Sequence, residues 1–242
     1  MTARSTVRTW IIVPAAGGGS RFDDATPKQY ADLAGAPVLA RTLDRLATLD
    51  AEAIVVALAP DDLRFDASIG ARHRVLPLRC GGETRAATVR KALQAIADRC
   101  GDDDWVLVHD SARPCVPREA LARLVQALAD DAVGGLLALP LGDTLKRASA
   151  MDDPPRVLRT ESRECLWLAQ TPQMFRYRLL AAAQGLDVAG ECTDEAQAIE
   201  ALAATGVCER PRLVRGDAAN LKITYRGDLD LAAAIIATQG PE

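Results

Sequence analysis

A glycine-rich segment near the N-terminus has the residue types needed to hold a chain of phosphates. It opens with small residues that follow an apolar run, namely Pro14, Ala15, Ala16, Gly17, Gly18 and Gly19. Because small side chains let the backbone fold tightly and approach a polyphosphate closely, several N–H groups can point at its oxygens. Arg21 and Lys28 follow and add positive charge beside the glycines. The segment is therefore predicted to bind a nucleoside triphosphate.

Two common nucleotide motifs do not fit this segment. A P-loop ends in Gly-Lys-Ser or Gly-Lys-Thr, and the sequence contains neither triplet. The dinucleotide fingerprint G-x-G-x-x-G would start at Gly17 and needs a third glycine where the chain has Phe22. An NAD-linked reductase is therefore disfavoured. A plain strand-to-helix turn remains the alternative that involves no ligand.

Two further motifs carry groups suited to a nucleotide site. Gly81 and Gly82 precede a helical pattern whose N-terminus offers free N–H groups, although a simple helix entry explains them equally well. Asp110 ends a strand-like run, and its carboxylate beside a triphosphate would suit Mg²⁺; a turn or capping aspartate is the alternative. His73 and His109, the only histidines, are interpreted as structural, because no nucleophile motif for a Ser-His-Asp triad accompanies them.

The elements that must position these motifs alternate between strand and helix. Apolar, β-branched runs predict strands at 10–13, 53–58, 74–78, 105–109 and 133–139. Amphipathic helical patterns fill most of the gaps between them. Continuous apolar strands joined by such helices predict a doubly wound, mostly parallel sheet in a Rossmann-like three-layer α/β fold. Ligands bind such sheets at the carboxyl ends of the strands, where every motif above lies.

A segment at about 142–162 interrupts this alternation and is predicted to project as an arm. It is polar, has no helical period and contains Pro154 and Pro155. A structureless loop of this length is uncommon in a compact domain and is usually functional or bound to a partner. Helices are predicted after it at 178–184, 194–203 and 228–237, with a strand at 212–215. Because no linker or repeat is visible, residues 1–242 are expected to form a single domain.

Composition limits the classes of partner. A formal net charge of -4 over 242 residues gives no general basic field for DNA or RNA. No run approaches the roughly 18 apolar residues of a membrane span, and residues 1–9 lack the apolar core of a signal peptide. The six cysteines show no paired metal-binding spacing, so zinc is not expected and the thiols are expected to be reduced. A cytoplasmic protein that binds no nucleic acid and no membrane is predicted.

The glycine-rich segment also carries a family resemblance. The pattern Pro-Ala-Ala-Gly-x-Gly-x-Arg from Pro14, with Pro-Lys-Gln at 27–29, resembles the signature of nucleotidyltransferases that activate sugars and sugar alcohols. More narrowly, motifs in order over nearly the whole chain resemble the 2-C-methyl-D-erythritol 4-phosphate cytidylyltransferase family of non-mevalonate isoprenoid synthesis. The resemblance implies that Gly82, Glu83 and Thr88 read the cytosine and ribose of CTP. It also makes Lys222, in the pattern Asn-x-Lys-x-Thr, a cation of the site.

The same resemblance implies a second substrate and a second subunit. It assigns the binding of a sugar-alcohol phosphate to Asp110, Arg113, Thr144, Arg163, Thr171, Thr193 and Lys222. Thr144 lies on the arm, which in the family crosses to a partner subunit, so a homodimer with arm exchange is implied. The arginines near Arg163 are alternatives for the phosphate-binding role: Arg147, Arg156 and Arg159. An ordinary turn residue and a helix N-cap are the alternatives for Thr171 and Thr193.

The implied reaction is cytidylyl transfer from CTP to 2-C-methyl-D-erythritol 4-phosphate, with Mg²⁺ or another divalent cation. The attacking phosphate oxygen is already anionic at neutral pH, so the site needs cations rather than a general base. Arg21, Lys28 and Lys222 are the predicted catalytic residues. Another polyol phosphate, such as ribitol 5-phosphate, is the nearest alternative substrate. A non-catalytic nucleotide-binding module is disfavoured, because binding alone does not need Lys28, Asp110 and Lys222 together.

Overall fold

Strands dominate the centre of this computed structural model, which describes residues 7–18, 22, 26–149, 153–186 and 192–240. In chain order they are β1 (Thr9–Pro14), β2 (Asp32–Leu33), β3 (Ala36–Pro37), β4 (Ala53–Ala57), β5 (Val75–Leu78), β6 (Trp105–Val108), β7 (Gly134–Pro140), β8 (Leu145–Ala148), β9 (Val157–Glu161), β10 (Trp167–Arg176) and β11 (Arg212–Arg215). Seven of them form one sheet in the order β11-β7-β10-β6-β1-β4-β5. The other four form two small pairs, β2 with β3 and β8 with β9.

The direction of the strands agrees with the predicted topology. β1 runs parallel to β4 and β6, β4 runs parallel to β5, and β7 runs parallel to β11. Only β10, between β6 and β7, is antiparallel to both of its neighbours. The prediction of a mostly parallel, doubly wound sheet is therefore confirmed.

Helices cover both faces of the sheet. They are α1 (Val38–Leu46), α2 (Phe65–Ser68), α3 (Arg85–Ala95), α4 (Arg118–Leu128), α5 (Tyr177–Gln184), α6 (Glu195–Ala204) and α7 (Asp228–Thr238). Because successive side chains of a strand point to opposite faces, Ile11 and Val13 pack with α1 and α4, whereas Trp10 and Ile12 pack with α3, α5 and α6. All four side chains are fully buried, and burial of each contributes roughly 1.5–3 kcal/mol. The three-layer prediction is confirmed.

The strand β10 is the main element that the sequence pattern does not reveal. Its polar residues and Pro172 interrupt the apolar run, and a proline normally argues against a central strand. The register of β10 against β7 shifts between Ala169 and Gln173, so the ladder is interrupted where the proline lies. The irregularity therefore lets a proline-containing strand occupy the middle of the sheet.

The segment predicted as an arm contains the hairpin of β8 and β9 rather than a structureless loop. The two strands pair antiparallel, with Leu145 opposite Glu161. Their apolar side chains, including Leu145, Val157 and Leu158, are exposed. None of the helices in the described ranges combines the length and the apolar character that crossing a bilayer requires.

Candidate active site

A cleft of about 1100 Å³ lies where the parallel strands of the central sheet end. Its walls come from the loops after β1, β4, β5 and β6 and from the segment after β11. Residues on these walls include Pro14, Gly17, Lys28, Gly82, Asp110 and Lys222. Motifs from both ends of the chain therefore meet at the carboxyl edge of the sheet, where doubly wound folds bind ligands.

The glycine-rich loop after β1 is braced from one side and open on the other. The side-chain amide of Gln29 donates to the carbonyl oxygens of Ala15 (3.0 Å) and Gly17 (3.1 Å). Ala15 is buried, whereas Ala16, Gly17 and Gly18 lie at the cleft. A Cβ atom added at Gly17 or Gly18 would meet no described atom within 4 Å beyond the adjoining residues. Packing within the protein therefore does not require these glycines, and they leave room for a ligand.

Two residues predicted in this loop, Gly19 and Arg21, lie outside the described residues. Their assignment to nucleotide binding and catalysis stays a prediction. Gln29, by contrast, belongs to the Pro-Lys-Gln pattern but has no predicted role of its own. Its burial among backbone carbonyl groups shows why an amide is needed there, since its two donated hydrogen bonds hold the loop open.

Replacing Gly17 by alanine should weaken CTP binding without unfolding the protein. The added methyl group meets no described atom within 4 Å beyond the adjoining residues, so we expect the free energy of unfolding to change by less than about 0.5 kcal/mol. The same methyl group would occupy the space that a phosphate needs, and we expect the Kd for CTP to rise roughly tenfold. Calorimetric titration with CTP and a thermal melt measure the two effects.

The matched control is Gly81→Ala, at a cleft glycine that packs against Ala16 of the glycine-rich loop. A Cβ atom at Gly81 would lie 2.6 Å from the carbonyl oxygen of Leu58 and would also overlap the side chain of Ala16. This variant should therefore lose about 1–3 kcal/mol of stability through overpacking. Equal losses of stability in Gly17→Ala and Gly81→Ala would contradict the assignment of Gly17 to the wall of the ligand-binding cleft.

The second glycine motif is shaped by hydroxyl groups of α3. The N–H of Gly82 donates to Thr88 Oγ1 (3.0 Å), and that hydroxyl donates to the carbonyl oxygen of Thr84 (2.9 Å). Thr84 is the N-cap of α3. Glu83 stands exposed at the cleft, whereas Thr88 is almost fully buried. Thr88 therefore fixes the backbone of Gly82, the group that the family resemblance assigns to base recognition.

Lys91 also lies on the wall of the cleft and was not predicted. Its Nζ donates to the carbonyl oxygen of Gly81 (3.2 Å). Since residues three apart on a helix are neighbours, the position of Lys91 relative to Thr88 is the signal that would have identified it.

Asp110 is the centre of the charge network in the cleft. Its Oδ1 accepts a hydrogen bond from Arg85 Nε (2.9 Å), and its Oδ2 lies 2.8 Å from Lys222 Nζ. Arg113 Nε is 3.6 Å from the same Oδ2. Burial would raise the pKa of Asp110, but these three cations hold that pKa well below its usual range. The carboxylate is therefore ionised at neutral pH.

Arg85 and Glu195 form a salt bridge that sequence reasoning did not find. Arg85 Nη1 and Nη2 donate to the two carboxylate oxygens of Glu195 at 2.8 and 2.9 Å. Burial would lower the pKa of Arg85, but Glu195 and Asp110 outweigh it and raise that pKa further. Arg85 is the first residue of α3, where the helix dipole disfavours a cation. That unfavourable position is the sequence signal that could have indicated a carboxylate partner.

The segment after β11 brings Lys222 to the cleft beside Lys28. The side-chain amide of Asn220 donates to the carbonyl oxygen of Thr171 (2.7 Å), and Arg113 Nη1 donates to the carbonyl oxygen of Asn220 (2.7 Å). Lys28 Nζ donates to the carbonyl oxygen of Ile223 (3.3 Å). Asn220 therefore anchors the segment, while the side chain of Lys222 remains 42% exposed at the cleft.

Thr171 lies behind Asp110 rather than on the wall of the cleft. Its hydroxyl accepts from the N–H of Asp110 (3.0 Å) and lies 3.2 Å from His109 Nδ1. The other ring nitrogen of His109, Nε2, is 3.0 Å from the carbonyl oxygen of Arg113 and donates to it. Burial lowers the pKa of His109 to about 4, so the ring is neutral near pH 7. Both side chains position Asp110, and the structural interpretation of His109 agrees with this geometry.

Three polar side chains of β10 hold the segments that carry the site; we call Gln170, Thr171 and Gln173 the β10 bracket. Gln170 Nε2 donates to the carbonyl oxygen of Asp217 (2.9 Å), at the start of the segment that carries Lys222. Thr171 holds Asp110, as described above. Gln173 Oε1 accepts from the N–H of Ala196 (2.7 Å) in the first turn of α6. One strand therefore fixes three segments that are distant in sequence.

The remaining predicted substrate residues do not reach the cleft of their own chain. Thr144 lies on the arm and Arg163 directly follows it, and both residues are exposed. Thr193 is also exposed, and its hydroxyl donates to Gln197 Oε1 (3.1 Å). The alternative prediction, that Thr193 is the N-cap of the next helix, is wrong by one residue. Asp194 is the N-cap of α6, because its carboxylate accepts from the N–H of Gln197.

Asp110 is a candidate ligand for a divalent cation in the cleft. The described residues contain no cluster of three or more His, Cys, Asp or Glu side chains able to hold a metal. Asp110 nevertheless presents an ionised carboxylate to the cleft. Mg²⁺ is commonly held by one or two carboxylates together with substrate phosphates, so these residues fit a metal that binds with the nucleotide.

Comparison with known proteins gives a consistent result over almost the whole chain. Residues 9–238 match the family model described as 2-C-methyl-D-erythritol 4-phosphate cytidylyltransferase. A protein of that name from Dechloromonas aromatica is 52% identical over 234 residues, covering 95% of this chain and 97% of the relative. One from Laribacter hongkongensis is 52% identical over 231 residues, covering 95% and 96%.

Solved structures show the same similarity. A crystal structure of 4-diphosphocytidyl-2C-methyl-D-erythritol synthase has a TM-score of 0.82 and 36% identity, and the match covers 96% of this chain and 99% of that one. The 2-C-methyl-D-erythritol 4-phosphate cytidylyltransferase of Thermus thermophilus has a TM-score of 0.73 and 31% identity, covering 96% and 100%.

Proposed function

The chain belongs to the 2-C-methyl-D-erythritol 4-phosphate cytidylyltransferase family, and we propose that it converts CTP and 2-C-methyl-D-erythritol 4-phosphate into 4-diphosphocytidyl-2-C-methyl-D-erythritol and pyrophosphate. The observation that carries the proposal is the meeting of Lys28, Asp110 and Lys222 in one cleft beside an open glycine loop. Two cations and one carboxylate, gathered from distant parts of the sequence, suit the charge of a nucleotide and a second phosphate.

The reaction needs alignment and charge stabilisation rather than proton transfer. An anionic phosphate oxygen of the polyol phosphate forms a bond to the α-phosphorus of CTP. The bond from that phosphorus to the bridging oxygen breaks, and pyrophosphate leaves with the electron pair. Lys28 and Lys222 stabilise the added negative charge around the α-phosphate. The buried, neutral His109 is not required as a base.

The nucleotide occupies the side of the cleft formed by the glycine loop and by Gly81 and Gly82. The open space at Gly17 and Gly18 accepts the phosphates, and Thr88 holds Gly82 in position for the base. Asp110 is the residue that would hold Mg²⁺ or another divalent cation. When bound, the metal neutralises phosphate charge and orients the leaving pyrophosphate.

The polyol phosphate occupies the side formed by Asp110 and Lys222, with Arg113 next to the carboxylate of Asp110, and a second subunit completes it. Thr144 and Arg163 do not reach the cleft of their own chain, which fits their delivery across a homodimer by the arm. The exposed apolar side chains of the hairpin β8–β9 support such an exchange, because exposed apolar groups of this kind favour contact with a partner.

A pyrophosphate-release assay with CTP and Mg²⁺ tests the proposal. We expect release with 2-C-methyl-D-erythritol 4-phosphate and much less with ribitol 5-phosphate, the alternative that the named relatives do not favour. UTP and ATP should replace CTP poorly. No release with any pair of substrates would refute the enzyme assignment, and a preference for ribitol 5-phosphate would replace the substrate.

A further inference from the structure

The carboxylate of Glu195 is buried yet does not reach the cleft. The residue is 1% exposed, is the first residue of α6 and directs both carboxylate oxygens at Arg85. Replacing a buried ion pair by apolar groups is often neutral or stabilising, so a gain in stability does not explain the pair. Its contact with Asp110 through Arg85 suggests a different role.

The planar guanidinium group of Arg85 connects two carboxylates. Its two terminal nitrogens bind Glu195, and its Nε donates to Oδ1 of Asp110 at 2.9 Å. A planar, bidentate contact restricts rotation of the guanidinium group. Because Oδ1 is held by Arg85, the other oxygen of Asp110 remains on the side of Lys222, 2.8 Å from its Nζ.

Glu195 is itself held by the β10 bracket. Gln173 Oε1 accepts from the N–H of Ala196, and Gln173 Nε2 donates to the carboxylate of Asp194 at 2.9 Å. The residues on both sides of Glu195 are therefore fixed to the central sheet. Arg85 is fixed in turn through Glu195, although its own side chain is 26% exposed at the cleft.

We propose that Arg85 and Glu195 are positioning residues that orient Asp110, so that its Oδ2 stays on the side of Lys222, where it would be available to a divalent cation. The inference rests on the proposed cytidylyltransferase function of the same cleft. Arg85 sets the rotamer of Asp110, and Glu195 acts only through Arg85. Partners of a metal ligand commonly change metal affinity or activity by about 10–100-fold when they are replaced.

Three variants test the role of the pair: Arg85→Lys, Glu195→Gln and the double variant. Lysine keeps the charge but cannot bridge two carboxylates with a planar fork. We expect kcat to fall about tenfold or more in each single variant, and the half-saturating Mg²⁺ concentration to rise by a similar factor. The kcat of the double variant should be at most about threefold below that of the less active single variant, because both changes remove the same interaction.

Metal binding gives a readout that does not depend on turnover. Electron paramagnetic resonance measures Mn²⁺ bound to the protein with CTP present, and we expect each variant to weaken it about tenfold. In the same variants, the Kd for CTP without metal should change less than about threefold. This comparison distinguishes an effect on the metal from an effect on nucleotide binding. The matched control is Asp104→Asn, which removes a buried carboxylate paired with Arg8 away from the cleft. It should change neither Mn²⁺ binding nor kcat.

Several outcomes would overturn the inference. Unchanged Mn²⁺ binding in Glu195→Gln would show that Glu195 has only a structural role, and Mn²⁺ binding weakened equally in Asp104→Asn would show a general loss of folding. Losses that multiply in the double variant would show that the residues act independently. Absence of pyrophosphate release by the unmodified protein would instead refute the proposed function, and the Mn²⁺ measurement would still test the pair.

Discussion

Turnover should fall about a hundredfold or more when Lys222 is replaced by alanine, a loss on the order of 3 kcal/mol of transition-state stabilisation. Lys222 Nζ lies beside Asp110 on the wall of the cleft, where the α-phosphate would gain charge. Lys28→Ala should have an effect of the same size, because Lys28 lies against the next residue of the same segment, Ile223. Single-turnover pyrophosphate release measures the loss at the chemical step.

The control for this prediction is Lys91→Ala. Lys91 lines the same cleft, but its Nζ donates to the carbonyl oxygen of Gly81 on the side assigned to the base. We expect this variant to raise the KM for CTP by less than about tenfold and to leave kcat nearly unchanged. Activity of Lys222→Ala within a few-fold of the unmodified protein, with a normal thermal melt, would exclude Lys222 from catalysis.

Asp110→Asn should lower both turnover and stability. Asparagine keeps the size of the side chain but removes the charge that Arg85, Lys222 and Arg113 surround. We expect a loss of about a hundredfold or more in kcat, because a metal ligand and the partner of Lys222 are lost together. Loss of these charged contacts should also lower the free energy of unfolding by roughly 1–3 kcal/mol.

Asp217→Asn is a suitable comparison for this second prediction. The carboxylate of Asp217 accepts from the N–H of Ala219 at 2.8 Å, and an asparagine oxygen can accept the same hydrogen bond. Turnover should therefore stay within about threefold of the unmodified protein. If Asp110→Asn kept its response to Mg²⁺ and lost only stability, Asp110 would be a structural residue and the metal would need another ligand.

The central strands that the sequence pattern predicts, β1, β4 and β6, have one physical requirement, burial on both faces. β1 and β6 consist of apolar residues that pack between two layers of helices, so their composition reveals them. β10 must also hold the site, so it carries the β10 bracket and Pro172 in the middle of the sheet. These polar residues interrupt the apolar pattern that identifies a buried strand, so the sequence does not predict β10.

The sequence predicts those residues of the candidate site whose side-chain type, within its motif, already suggests a ligand. Lys28 and Asp110 lie in motifs whose residue types suggest phosphate and metal, and the cleft contains both. Arg85 and Glu195 lie 110 positions apart, and only the packing of α3 and α6 on the same face brings them together. Their pairing is a property of tertiary structure, which the local pattern of a single sequence does not contain.

The position of β10 in the sheet has a consequence for folding. Among the described strands, β10 makes the only link between the pair β11–β7 and the group β6–β1–β4–β5. Lys222 follows β11 and Asp110 follows β6, so the two residues belong to separate sheet fragments until β10 inserts. Such non-local pairing forms slowly compared with local contacts. A partly folded chain in which β10 has not yet paired with β6 and β7 would be inactive. Catalytic activity would appear only once the sheet is fully paired.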